Sequence, residues 1–328
     1  DGLPFDAGGE SRATAATQAR GGDFGDYLLG RQGQRSGETR VATVGPVCRQ
    51  VGRLDHADAG EGHPVLTGQP FVFVDHAKGS GGAVQHGGDL VGLTGKCDPS
   101  DPTDTGLGRL KRLGFTAVWI TPPFVQRTVQ GSSAAYHGYW FLDITQPDPH
   151  VATEAQFATF MTCAKKLRLK VFLDVVVNHT ADVISYKQGN AYVSLAAAPY
   201  RTATGRPFNP WHFTVGTSFP RLSPTRSFAK TPRVESGFAT AKAPAVLNQL
   251  TRYHNRGDID WGSCVGRCEM DGDFSGLDDL MTEDWTVVEA LAQAYGSWIT
   301  KYGIDGFRID TAKHVDPYFF GRWLPLIQ

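Results

Sequence analysis

An α/β fold of parallel strands, with a long insertion after the third strand, is the architecture this chain predicts. Three observations lead there. Strand-like apolar runs alternate with stretches of helical period, the pattern of parallel βαβ units. Two of those runs, Phe115–Thr121 and Leu169–Val177, are apolar almost without a break, which suits strands buried on both faces. About a hundred residues without βαβ period follow the third strand, far beyond ordinary loop length, and are expected to form an inserted subdomain.

The elements follow in order. Residues 1–66 are rich in Gly, Ala, Arg, Asp and Gln and poor in apolar clusters. They read as a disordered segment, or as the product of a reading-frame error upstream. Order is expected from the strand-like Phe71–Asp75. His86-Gly-Gly-Asp89-Leu90 reads as a loop entering a helix, and Leu107–Leu113 as the end of a helical stretch. The run FTAVWIT (115–121) is the second strand, stopped by Thr121-Pro-Pro-Phe124. Glu154–Leu167 has helical period, with Phe157, Phe160, Met161 and Ala164 on one stripe. Leu169–Val177 is the third strand. Thr282 is read as the N-cap of a helix with Glu283 and Asp284 in its first turn, running to about Tyr302. Ile304–Ile309 is the fourth strand, and Pro317–Ile327 begins a further helix. The chain thus divides into 1–66, atypical; 67–177, strands one to three; 178–281, the insertion; and 282–328, the continuation.

Composition narrows the partners. A formal net charge of −1 over 328 residues, with no dense basic run, gives no reason to expect nucleic acid or an anionic membrane. No stretch approaches the roughly 20 continuous apolar residues of a membrane span. Five cysteines are an odd count and make no disulfide framework. Cys264 and Cys268 lie close enough to bridge, so ordinary thiols with that one local disulfide are expected. A zinc site is disfavoured, because no second Cys or His pair has suitable spacing.

Four clusters carry chemistry. Gly306-Phe-Arg308-Ile-Asp310-Thr-Ala-Lys313-His314 reads as a short buried strand that ends by presenting charge. Arg308 and Asp310 are two apart and share a face. The guanidinium is expected to keep the carboxylate ionised at neutral pH and below. Such an Asp suits a nucleophile or a cation stabiliser, and equally a structural ion pair. In Asp174-Val-Val-Val-Asn178-His179, Asp174 and Asn178 share strand parity. Asn178 offers a hard amide oxygen suited to Ca²⁺, and His179 can bond a sugar hydroxyl; capping of the strand end is the plain alternative. Tyr136-His137-Gly-Tyr139-Trp140 offers aromatic faces and a His to a sugar ring, or an aromatic core cluster. In Ser275-Gly-Leu277-Asp278-Asp279-Leu280, an acidic residue can close a Ca²⁺ site with Asn178 or cap the next helix.

In this order, the four clusters resemble the α-amylase superfamily of glycoside hydrolases (glycoside hydrolase family 13), in its bacterial secreted α-amylase-like members. The similarity runs from about Phe71 to the C-terminus. DVVVNH (174–179) and GFRIDTAKH (306–314) look like the family's first two signatures, YHGYW like its aromatic substrate loop, and GLDDL like the signature closing the inserted subdomain. Tyr253-His-Asn-Arg-Gly257 resembles part of that subdomain. The resemblance implies a (β/α)8 TIM barrel, of which about the first four βα units are present, with a Ca²⁺-binding insertion after the third strand. It implies retaining hydrolysis of α-glucosidic bonds in starch-like glucans. Asp310 is then the nucleophile and Arg308 its orienting partner. His137, Tyr139, Asp174, His179, Lys313 and His314 belong to substrate binding and its support. Asn178 and Asp279 are implied as side-chain Ca²⁺ ligands, and His314 as a carbonyl ligand. The implied partner is an α-glucan or malto-oligosaccharide, with no nucleic acid or membrane partner, and the full-length protein is implied to be a secreted monomer.

Two departures shape the expectation. Asp75-His-Ala77 stands where the family usually has Asp-Arg-Phe, and neither the general-acid Glu after a fifth strand nor a later His-Asp pair is found. The chain is therefore expected to be a fragment: an incomplete catalytic domain, inactive by itself, with two unpaired sheet edges that favour aggregation. A transglycosylase, or an α-1,6- or oligosaccharide-specific relative, would share these residues. A non-catalytic sugar-binding scaffold is a third reading, opposed by the presence of both Arg308 and Asp310. No Gly-x-Gly-x-x-Gly follows the first strand, which disfavours a dinucleotide-binding fold.

Overall fold

Side-chain alternation across one six-stranded sheet decides which of its faces carries chemistry. The computed structural model describes residues 27–30, 65–66, 69–74, 89–213, 218–264 and 267–327. Its first strands are β1 (Tyr27–Gly30), β2 (Val65–Leu66), β3 (Gln69–Val74) and β4 (Ala117–Ile120). Helices α1 (Asp89–Thr94) and α2 (Leu107–Arg112) lie between β3 and β4. A hairpin of β5 (Phe124–Gln126) and β8 (Phe141–Pro147) encloses the small β6 (Val129–Gln130) and β7 (Ser133–Ala134). Then come α3 (Glu154–Lys166) and β9 (Lys170–Val176).

After β9, short pieces replace the strand–helix rhythm: β10 (His179–Thr180), β11 (Ile184–Tyr186), β12 (Tyr200–Arg201), β13 (Pro207–Phe208), β14 (Pro232–Val234), α4 (Cys268–Asp271) and β15 (Asp278–Asp279). They pair only with one another, β10 with β15, β11 with β14 and β12 with β13. The rhythm resumes with α5 (Trp285–Tyr302), β16 (Gly306–Asp310) and α6 (Pro317–Ile327). Strand order in the large sheet is β1-β16-β9-β4-β3-β2. The four inner strands run parallel and stand in chain order, while β1 and β2 are antiparallel at the two edges.

One face of the sheet meets the helices. Val118 and Ile120 of β4, Val171, Leu173 and Val175 of β9, and Phe307 and Ile309 of β16 join the main core with Phe157, Phe160, Met161 and Ala164 of α3. That helical stripe is the one the sequence predicts. A capping box starts α3: Thr153 Oγ1 accepts from the Gln156 amide, and Gln156 Oε1 accepts from the Thr153 amide. The other face carries Ala117, Trp119 and Phe172 as a small separate cluster, and with it Asp174 and Arg308. Register sets Arg308 directly beside Asp174, so both charges fall on this second face by parity.

Three expectations need correction. The N-cap of α5 is Asp284, whose Oδ1 accepts from the Thr286 amide at 2.9 Å, so the helix begins two residues later than Thr282 predicts. The cysteines form two disulfides: the local Cys264–Cys268 bridge, and Cys97–Cys163 across 66 residues, which the odd count concealed. The edges of β16 and β3 are paired, by β1 and β2 respectively, rather than open. Apart from β1 and β2, the atypical segment 1–66 lies outside the described residues, as do His86 and the Asp75-His-Ala77 loop.

Candidate active site

The site forms where the second face of the sheet runs out at the C-terminal ends of β9 and β16. Arg308 Nη1 donates to both oxygens of Asp174, at 3.0 and 2.9 Å, and to Asp310 Oδ1 at 2.7 Å. The guanidinium also lies 5.0 Å from the ring centre of Trp119, in cation–π range. Asp174 is fully buried, whereas the Asp310 side chain keeps 19% exposure. Only the second carboxylate can therefore meet a ligand. Tyr139 OH donates to Asp174 Oδ2 at 2.9 Å and closes the network from above.

Asp310 is followed by Thr311 at φ 51°, a left-handed conformation unusual for a β-branched residue. That turn sends the chain into a short 3₁₀ helix, Ala312–His314, and back toward the cavity. Across from it, the loop of the β5–β8 hairpin supplies His137 and Tyr139. Gly138 between them sits at φ 91°, and a Cβ there would lie 2.4 Å from the Pro122 carbonyl oxygen, so no larger residue fits. His137 Nδ1 accepts from the Tyr139 amide at 3.0 Å, and the two rings stack at 5.7 Å.

A cavity of about 350 Å³ lies between these parts, lined by His137, Tyr139, His179, Asp310, Lys313 and His314 among others. The structure thus gathers most of the predicted substrate residues around Asp310. Asp174 is not among the lining residues and acts from behind, through Arg308 and Tyr139. Asn178 and Asp279 also stand outside the lining, adjoining one another through the β10–β15 ladder, where His179 pairs with Asp279 and the Leu280 amide donates to the Asn178 carbonyl at 2.8 Å. Leu277, within the GLDDL run, and Phe274 complete one wall, and Phe274 was not singled out by sequence. Its signal was its nearness to that run.

Electrostatics depart from the simple ion-pair picture. Burial pushes the Asp310 carboxyl above its ordinary range, and Arg308 only partly offsets this. Asp174 is pushed up to about 8, by burial first, with the neighbouring Asp310 adding to it against Arg308. The expectation that the guanidinium keeps Asp310 ionised at neutral pH and below therefore needs correction: burial raises that carboxyl, and the one cation is shared between two. Burial lowers the imidazoles of His137 and His314, and takes His179 down to about 4. These rings enter the site neutral, as hydrogen-bonding groups.

Beyond the cavity wall lies a second buried network. His254 bridges Asp279 at 2.5 Å and Glu283 at 3.0 Å. Burial opposes charge on His254, but the two carboxylates outweigh it and raise the imidazole well above its usual value. Burial lifts Asp279 to about 7, with His254 pulling the other way. Among the described residues, no three His, Cys, Asp or Glu side chains converge as a metal-binding group. No described helix is long and apolar enough to cross a membrane.

Comparison with known proteins gives this arrangement a family. Over 243 residues the chain is 43% identical to an alpha-amylase of Streptomyces lividans, covering 72% of this chain and 25% of that protein. A periplasmic alpha-amylase of Escherichia coli (strain K12) is 28% identical over 263 residues, covering 70% and 36%. An alpha-amylase from Geobacillus thermoleovorans, solved in complex with acarbose, superposes with a TM-score of 0.49 at 24% identity, over 79% of this chain and 43% of that one. The chain thus spans about a quarter to two fifths of the length of these relatives. Residues 70–320 match the model for the alpha amylase catalytic domain, and on that match the chain belongs to the α-amylase family of glycoside hydrolases.

Proposed function

We propose that this chain carries the nucleophile half of a retaining α-glucan hydrolase. The observation that carries the reading is Asp310: it is the one carboxylate lining the described cavity, and Arg308 holds it at 2.7 Å. Asp310 attacks the anomeric carbon of a bound glucose unit, the glycosidic C–O bond breaks, and a glycosyl-enzyme ester forms. Arg308 orients the carboxylate. Tyr139 and His137 cover one side of the sugar, and His179, Lys313 and His314 hold its hydroxyls. Asp174 keeps Arg308 and Tyr139 in place.

The leaving oxygen must take a proton, so a retaining enzyme uses a second carboxyl roughly 5 Å from the first. No Glu lines the described cavity. The chain by itself is therefore expected to bind malto-oligosaccharides but to hydrolyse starch poorly. The sheet is read as the first four strands of a (β/α)8 barrel, with residues 178–281 inserted after the third. Two disulfides favour an oxidising compartment, in line with secretion.

Calcium belongs to the same proposal. Asn178 and Asp279 offer hard oxygen donors one position apart along the β10–β15 pairing, where His179 stands opposite Asp279, and the His314 carbonyl is the third implied ligand. The surroundings fit a cation. Three buried carboxylates, Asp271, Asp279 and Glu283, pair with the two cations His254 and Arg256; Tyr192 donates to Asp271 Oδ1, but Asp271 Oδ2 and Glu283 Oε1 accept no hydrogen bond among the described residues. Bound calcium would supply the missing positive charge and tie the insertion to the sheet.

α-Maltotriosyl fluoride tests the reading, because fluoride departs without a proton and makes a general acid unnecessary. Brief mixing followed by acid quench and peptide mass spectrometry is expected to find a maltotriosyl group on the peptide containing Asp310. The Asp310→Asn variant is expected to carry none. No adduct on the unsubstituted chain, with folding intact, would sink the assignment.

A further inference from the structure

The contacts beneath Lys313 and His314 come from one small lobe of the insertion. The Cys264–Cys268 disulfide ties the start of α4 to the preceding loop, and the next residue, Glu269, faces the catalytic strand's turn. His314 Nδ1 lies 2.9 Å from the Glu269 carbonyl oxygen. A carbonyl can only accept, so Nδ1 carries the hydrogen in that contact. The Glu269 carboxylate stands 3.5 Å from Lys313 Nζ and 3.9 Å from His314 Nδ1. Two residues before Glu269, Arg267 Nη1 pairs with Asp316 Oδ2 at 3.1 Å. Three successive attachments thus run from the lobe to residues 313–316.

What this leaves free is informative. His314 is 1% exposed and lines the cavity, yet its Nε2 has no hydrogen-bond partner among the described residues. Leaving such an atom unmatched in the interior is costly unless a ligand completes it. With Nδ1–H committed to Glu269, Nε2 is left as an unmatched lone pair on a residue that lines the cavity, and it matches a donor, such as a sugar hydroxyl.

We propose that Glu269 is a positioning residue for the sugar unit held by Lys313 and His314, and that the Cys264–Cys268 disulfide fixes it in that role. The backbone carbonyl selects the His314 tautomer, while the carboxylate aims the Lys313 ammonium. The choice of a malto-oligosaccharide as probe rests on the α-glucan reading above; the tautomer does not.

Two measurements on the full chain test this. In protein labelled with ¹⁵N-histidine, with the His314→Gln variant identifying the signal, long-range nitrogen–proton spectra are expected to show His314 protonated at Nδ1. In the double variant Cys264→Ser, Cys268→Ser, the Nε2-protonated form is expected to appear. Titration with maltoheptaose is expected to show about tenfold weaker binding for Glu269→Ala, with Glu269→Gln recovering most of it because its amide oxygen still accepts from Lys313. Retention of the pure Nδ1–H signal in the double variant, or unchanged maltoheptaose affinity in Glu269→Ala, overturns the proposal. If the unsubstituted chain binds no maltoheptaose, the α-glucan reading fails, and the His314 spectra still decide the positioning role.

Discussion

Arg308 reaches Asp174 and Asp310 through the same Nη1 atom, at 2.9 and 2.7 Å. One positive charge then faces two carboxyls, and two such groups in close range cannot both ionise cheaply. Burial resolves the contest against Asp174, whose carboxyl rises to about 8. An unfolded Asp titrates near 3.9. Between these values the unfolded chain has lost the proton and the folded chain retains it, so stability falls as pH rises from about 4 to about 8 and levels off beyond. The Asp174→Asn variant is expected to show a shallower fall, since an amide fills the same space without titrating, while the raised Asp279 keeps its own share. Thermal unfolding midpoints measured from pH 4 to pH 9 check it; parallel profiles for the two proteins would refute the assignment. Strand parity made the shared face of Arg308 and Asp310 legible in the sequence. The pairing of Arg308 with Asp174 was not legible, because it depends on the parallel register of β9 against β16, and no local pattern records a register between strands 134 residues apart.

Among elements, legibility follows how locally each is specified. The α3 stripe could be read because 3.6-residue period and the Thr153–Gln156 capping box lie within one segment. Strands β4 and β9 could be read because burial on both faces leaves an apolar run. The start of α5 was misread. Thr282, Glu283 and Asp284 all suit a helix entrance, and tertiary contacts choose among them. Glu283 is drawn to His254, whereas Asp284 both caps Thr286 and pairs with Arg252. Asp284→Ala removes both interactions and is expected to cost about 1–2 kcal/mol in urea unfolding. Asp284→Asn keeps an oxygen for the Thr286 amide and is expected to cost less than about half of that. Equal losses would show that the charge pair, not the cap, is what Asp284 contributes. The Cys97–Cys163 bridge belongs with the hidden features. It joins the turn after α1 to α3, two helices whose contact is decided by packing rather than by cysteine spacing.

At the scale of the whole molecule, the large sheet ends on both sides in antiparallel strands drawn from residues that composition alone marks as poor in structure. β1 pairs with β16 across four positions, from Tyr27 opposite Ile309 to Gly30 opposite Gly306. Its place in the sheet comes from the open edge of β16 rather than from any pattern within residues 1–66, which is why the sequence did not announce it. An apolar strand with unpaired backbone groups is a template for other chains. β1 supplies those partners within the molecule. In the proposed barrel, a further parallel strand would add on that same side of β16, so β1 and such a strand would compete for one row of hydrogen-bonding groups. Removing residues 1–30 tests whether β1 covers an edge that matters. The shortened chain is expected to scatter light increasingly with concentration and to bind thioflavin T, while the complete chain stays dispersed under the same conditions. Equal dispersion and equal thermal stability of the two would mean that the β16 edge is protected by its own short length and terminal charge. Expectations about association would then have to begin from Arg308 and Asp310, which end that strand, and not from β1.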